Sequence, residues 1–150
     1  MNTRLLLLLV PLVAAVCAQS VNRHSMLPPS ASMRSLREAE IFALYPVGEA
    51  GKTSEEERLF KAIFTLEQNK AKQELNNLYS SGNPQAMSYS LVGMRKLDRK
   101  RYAELLAAAR TSNLTVTTMW GCIVVKEKLR TVAYDLDSGK YDSWLRWMRP

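Results

Sequence analysis

Residues 82–110 read GNPQAMSYSLVGMRKLDRKRYAELLAAAR, and this stretch decides the fold class. Asn83 is a strong helix cap, and Pro84 suits the first helical position, where an N–H has no intrahelical partner. Ala86, Met87, Tyr89, Ser90, Leu91, Met94 and Leu97 recur at helical spacing and form an inward face. Gly93 leaves room for a close helix neighbour. Asp98 then caps a further helix whose apolar stripe is Tyr102, Leu105, Leu106 and Ala109. Two helices joined by so short a turn fold back on each other as a hairpin.

Upstream, residues 53–81 predict one long helix. Thr53 or Ser54 caps its start, Ser54 and Glu57 have the spacing of a capping box, and Glu55, Glu56 and Glu57 set negative charge on the positive helix end. Phe60, Ile63, Phe64, Ala71, Leu75, Leu78 and Tyr79 supply the apolar face, and Gly82 follows as a terminating residue. A shorter helix is expected over residues 34–45, before Pro46, Gly48 and Gly51 break the pattern. The hairpin of residues 83–110 resembles one unit of a HEAT-type helical repeat. It covers about a fifth of the chain and has no second copy, whereas solenoids need about three.

Downstream, residues 114–125 are ambiguous. Thr115, Val116, Thr117, Thr118, Ile123, Val124 and Val125 are β-branched, which favours a strand. Met119, Trp120, Ile123 and Val124 also fit one helical face, and a lone strand would have no partner. The favoured reading is an extended entry leading into a helix that runs to about Leu136 and ends at Gly139. A last short helix carries Tyr141, Trp144, Leu145 and Met148. The expected fold is therefore all-α: an irregular bundle of four to six helices in stacked hairpins, forming a single domain over residues 34–150. Its expected core includes Phe60, Ile63, Phe64, Leu75, Leu91, Leu105, Ile123, Leu129, Val132 and Trp144.

The opening of the chain has the three parts of a secretory signal. Arg4 supplies the positive region, an apolar run follows through residues 5–16, and Val16 and Ala18 satisfy the small-residue rule for cleavage before Gln19. Residues 1–18 are thus read as a signal peptide and residues 19–33, rich in Ser, Asn and Pro, as a flexible tether. The run is short for a membrane span, which needs roughly 20 apolar residues. Lipidation at Cys17 is the less favoured alternative, because Val16 is a poor residue before a lipid-modified cysteine. Cleavage leaves Cys122 as the single cysteine, so no internal disulfide can form, and its apolar neighbours suggest a buried thiol. The lone histidine, His24, lies in the tether, far from any cluster that could bind metal.

Several motifs fail on inspection. Gly48-Glu49-Ala50-Gly51-Lys52-Thr53 resembles the end of a phosphate-binding loop, but Pro46 stands where the first glycine belongs and three glutamates open the next helix. Asp135-Leu136-Asp137-Ser138-Gly139 resembles a calcium loop, yet glycine falls fifth and Arg146 occupies the twelfth position. Neither a nucleotide nor another cofactor is expected, and no catalytic or metal-binding residue is assigned. Glu67, Glu74, Glu104 or Asp135 could converge as paired carboxylates, which keeps a hydrolase open as one alternative. Asn113-Leu114-Thr115 has the form of a glycosylation sequon.

Two surface features remain. Arg95, Lys96, Arg99, Lys100 and Arg101 form the densest positive run of a chain whose formal charge is +7. They are the candidate binding residues, suited to phosphate groups or an acidic protein, with no DNA-reading module beside them. The second is the tail, where Trp144, Leu145, Trp147 and Met148 alternate with Arg146 and Arg149; it is expected to dock its tryptophans on the core. The leading functional expectation is an exported, periplasmic or extracellular, non-catalytic module that binds another exported or surface protein through helical faces. The second is a small cationic protein that binds anionic membranes or polymers.

Overall fold

The computed structural model describes residues 29–47 and 51–147. The segment read as a signal peptide, the segment read as a tether up to residue 28, His24, Cys17 and the last three residues lie outside them. The described chain is mostly helical. Its elements run α1 (Pro29–Arg37), α2 (Glu55–Ile63), α3 (Gln68–Ser81), α4 (Pro84–Leu97), α5 (Arg99–Arg110), β1 (Thr115–Trp120), β2 (Ile123–Lys128), α6 (Leu129–Asp137) and α7 (Asp142–Trp147). No described helix is long and apolar enough to cross a membrane.

The middle of the chain follows its local signals. Asn83 caps α4 by accepting the Ala86 N–H at 2.9 Å, and Asp98 caps α5 by accepting the Arg101 N–H at 3.0 Å. Ser54 does the same for α2 through the Glu57 N–H at 3.0 Å. Helix α4 is the hub: Ala86 and residues 88–94 are all buried, and it packs against α3, α5, α6, β1 and α1. A helix buried on most of its circumference must satisfy its polar groups internally. Ser88 donates to the Pro84 carbonyl, and Ser90 to the Leu75 carbonyl at 2.6 Å across to α3. Gly93 is where α3 and α4 approach: a Cβ there would stand 2.6 Å from both Leu75 methyl groups.

Four expectations are corrected. The long helix of residues 53–81 is two helices. The Phe64 and Leu66 N–H groups bond back to the Lys61 and Ile63 carbonyls, Thr65 Oγ1 bonds the Ala62 carbonyl, and Glu67 restarts the chain as the cap of α3. The break gives α2 and α3 separate axes, so that Phe60, Ile63, Leu75 and Leu78 all reach one core. Phe64 sits at the break and is only partly buried.

The first helix begins at Pro29, inside the segment read as tether, and ends at Arg37 rather than continuing to residue 45. Residues 41–45 are extended instead. Phe42 donates its N–H to the Thr117 carbonyl at 2.8 Å and accepts the Met119 N–H at 3.1 Å. The Tyr89 hydroxyl accepts the Ala43 N–H at 3.0 Å and lies 3.2 Å from the carbonyls of Ile41 and Ala43, to one of which it donates. These long-range partners replace the bonds a continued helix would have made.

The fold is mostly helical, as expected, and adds one small two-stranded sheet in the segment expected to lead into a helix. Residues 115–128 form an antiparallel hairpin in which Thr115 pairs with Lys128 and Trp120 with Ile123. Strand β1 finds the partner it needs in the next six residues. The turn is Gly121-Cys122, and Gly121 has φ +58° while no other residue type among the described residues has positive φ. A glycine with positive φ at the first of two turn positions is the type II′ geometry that suits strand twist.

The last correction concerns burial. Ile123 is 66% exposed because β2 is the outer strand and stands beyond the core, and Cys122 is exposed in the hairpin turn. Leu91, Leu105, Leu129, Val132 and Trp144 are buried as expected.

Candidate functional site

The site is built by the two ends of the helical stack meeting the tail. Helix α6 stops at Ser138, and Gly139, at φ +87°, turns the chain in a conformation that L side chains rarely adopt. A Cβ at Gly139 would also come within 2.9 Å of Asp142 Oδ2, so the glycine lets the Asp142 carboxylate fold close over the turn. Helix α7 is then pinned by Trp144. Its ring stacks on Phe60 with centroids 5.5 Å apart, and its Nε1 donates to Glu57 Oε1 at 3.0 Å. Glu57 is itself buried and also receives Lys61 Nζ at 2.7 Å. The tail tryptophan therefore docks on the core through a buried, charge-assisted hydrogen bond.

This anchoring places α7 beside the C-terminal end of α4 and the N-terminal end of α5. Between them lies an open groove of about 400 Å³ lined by Arg95, Lys96, Arg99, Asp142, Leu145 and Arg146. Four cations face one carboxylate. Arg95 is the fixed member: its guanidinium meets Asp142 Oδ1 at 2.8 Å and donates to the Leu136 carbonyl at the end of α6. A cation bonding a C-terminal helix carbonyl also meets the negative end of the helix dipole. Lys96 lies 5.4 Å from the centre of the Phe64 ring, and partial burial lowers the pKa of its ammonium. Arg99 is exposed at the start of α5, and Arg146 is exposed on α7.

Lys96 is also the border to a second hollow. Phe64, Leu66, Gln68, Ala71 and Leu97 join it around a mainly apolar pocket of about 350 Å³. An extended ligand could thus place acidic groups against Arg99 and Arg146, and an apolar group beside Phe64 and Leu97.

The five residues of the positive run are not one surface. Arg95, Lys96 and Arg99 share the groove. Arg101 turns the other way, with Nε on Asn76 Oδ1 at 2.7 Å and a guanidinium nitrogen on Glu104 Oε2 at 2.6 Å. Lys100 is exposed on α5 and does not line the groove. Arg146 was missed as a member of the patch, since nothing in the sequence says that the tail returns to this junction.

Three of the four carboxylates considered for hydrolysis have partners of their own. Glu67 caps α3, Glu104 pairs with Arg101, Asp135 pairs with Lys140, and Glu74 lies along α3. The acidic residues that do share a hollow are Glu38, Glu40, Glu55 and Glu56, around about 260 Å³ at the junction of α1 and α2. Among the described residues no group of three His, Cys, Asp or Glu is placed to hold a metal ion. The residues that resemble the end of a phosphate loop serve other ends: Lys52 exchanges backbone hydrogen bonds with Val47, and Ser54 caps α2. Comparison with family models, curated proteins and solved structures returned no match to this chain.

Proposed function

We propose that the chain is an exported, non-catalytic interaction module whose cationic groove receives an acidic segment of another protein. The observation that carries this reading is the excess of Arg95, Lys96, Arg99 and Arg146 over the single carboxylate Asp142, which Arg95 already engages. Lys96, Arg99 and Arg146 have no carboxylate partner among the described ion pairs, so their charge is available to a ligand. The adjoining apolar pocket supports a peptide rather than a bare ion, because it offers a place for a side chain next to the charges. Export rests on the signal-like residues 1–18.

Arg99 and Arg146 are the residues to test, since Arg95 also holds the end of α6 in place. A labelled peptide of alternating glutamate and leucine should bind the exported protein and weaken with added salt, as exposed charges are screened within about 10 Å at 0.1 M ionic strength. The double change Arg99→Glu and Arg146→Glu should lower its affinity by roughly tenfold or more, at a few tenths to 1 kcal/mol for each exposed pair lost and a similar repulsion gained. Unchanged affinity with an unchanged circular dichroism spectrum would remove the groove from the reading. Binding to anionic vesicles with no preference for the peptide would instead favour the surface-binding cationic protein.

A further inference from the structure

We infer that β2 is an interface for a second copy of this chain, with the two hairpins joining edge to edge into a four-stranded antiparallel sheet. The first observation is which edge is open. On the inner side of β1, Thr117 O and Met119 N bond to Phe42, so residues 117 and 119 point their backbone groups that way. In an antiparallel ladder the direction alternates, so Val116, Thr118 and Trp120 face β2. Their partners Glu127, Val125 and Ile123 face back. It follows that Val124 and Lys126 turn their N–H and C=O groups outward, and no described strand pairs with them.

The second observation is what decorates this edge. Ile123, Val124 and Val125 are 66%, 54% and 41% exposed, three consecutive β-branched apolar residues on the outermost strand. Because side chains alternate, the apolar surface lies on both faces of the strand rather than on one. A helix docking on one face would leave Val124 or the pair Ile123 and Val125 in water. An added strand covers both faces at once and satisfies the outward backbone groups as well.

The third observation is side-chain pairing across a twofold axis, which sets the register and fits a second copy of this chain. In a twofold antiparallel pairing with Val124 opposite Val124 of the other copy, Ile123 faces Val125 and Lys126 faces Cys122. Every apolar side chain then meets an apolar one, and the two Lys126 side chains lie at opposite ends. Shifting the centre to Lys126 would oppose two lysines, and centring on Glu127 would oppose two glutamates; both are unfavourable for residues directly across. The segment is therefore self-complementary in one register, which is the requirement for an isologous interface. This reading does not depend on the cationic groove.

Sedimentation equilibrium of the exported protein over a range of concentrations tests it, together with amide hydrogen exchange. A monomer–dimer equilibrium is expected, with the Val124 and Lys126 amides gaining protection as concentration rises. The Val125 amide, directed to β1, should be protected throughout. Val124→Pro deletes an outward donor without taking one from the β1–β2 ladder, and should weaken the dimer by about tenfold or more. Val124→Lys is the companion variant, because it opposes two cations on the twofold axis and leaves the backbone free to fold. A native circular dichroism spectrum with loss of the dimer in Val124→Lys supports the interface. A protein that stays monomeric at every concentration, a dimer that survives Val124→Lys, or a dimer whose outer β2 amides stay unprotected overturns it.

Discussion

The stack of α3, α4 and α5 and the sheet region of residues 41–45 with β1 and β2 solve the same problem by different means. Both must satisfy backbone groups near a buried core. In the stack, the decisive bonds are local: Asn83 accepts the Ala86 N–H and Asp98 the Arg101 N–H, each three positions ahead, and Glu67 accepts the Asn69 N–H two positions ahead. In the sheet region they are remote. Phe42 bonds to Thr117 and Met119, and Ala43 to the hydroxyl of Tyr89, with burial raising the pKa of that phenol. The stack therefore carries its instructions in short sequence windows, whereas the sheet region takes its shape from what α4 offers. Edge-to-face contacts of Phe42 with Tyr89 and Tyr141, at 4.9 and 5.7 Å, reinforce that dependence.

Substitutions can break this contrast, the largest effect coming from Phe42. Its ring is 2% exposed at the meeting of residues 41–45, α4 and the tail. Phe42→Ala should destabilise the protein by about 3–5 kcal/mol in urea unfolding, the usual cost of emptying an aromatic core position. Hydrogen exchange should show the Met119 amide opening first while the α3–α5 amides keep their relative order. Uniform loss of protection across both regions would mean that they unfold as one unit and that the contrast is only geometric.

A cap substitution should act less strongly and more locally. Asn83→Ala removes the acceptor for the Ala86 N–H and the donor to the Ala39 carbonyl, which lies at 2.7 Å. We expect a loss of about 1–2 kcal/mol by denaturant titration, with exchange quickened in the first turn of α4. A cost as large as that of Phe42→Ala would show that the Ala39 contact, a tertiary one, outweighs the cap.

The smallest effect is electrostatic. The Arg101 backbone N–H and Lys72 both bond the Asp98 carboxylate and hold its pKa below the ordinary aspartate range. A pKa lowered by folding stabilises the protein at neutral pH, and that contribution is lost as the pH falls through the folded value. The unfolding midpoint of the native chain should therefore exceed that of Asp98→Asn at pH 7, with the gap closing on acidification below the ordinary aspartate range. A gap that persists when the carboxyl is protonated would assign the effect to cap geometry alone.

The candidate site divides along the same line. Arg95, Lys96 and Arg99 could be named from the sequence because they crowd one helix junction. Their grouping with Arg146, and the departure of Arg101 toward Asn76 and Glu104, could not be read there, since the direction of a long side chain depends on which neighbours the packing supplies. The hairpin had a legible signal in Gly121-Cys122, a two-residue Gly-X turn between two β-branched runs. Helical spacing of Met119, Trp120, Ile123 and Val124 competed with it, and short apolar runs fit both periods.

The sequence by itself determined the helices α4 and α5, the start of α2 and most of the apolar residues of the core, because caps and apolar periodicity act within a few residues. The tertiary structure alone decided the split of residues 53–81, the extended course of residues 41–45 along β1, the exposure of Ile123 and Cys122, and the membership of the groove. Those outcomes depend on hydrogen bonds and contacts between residues far apart in the chain, and they exist only once α4 has become the surface on which the other elements pack.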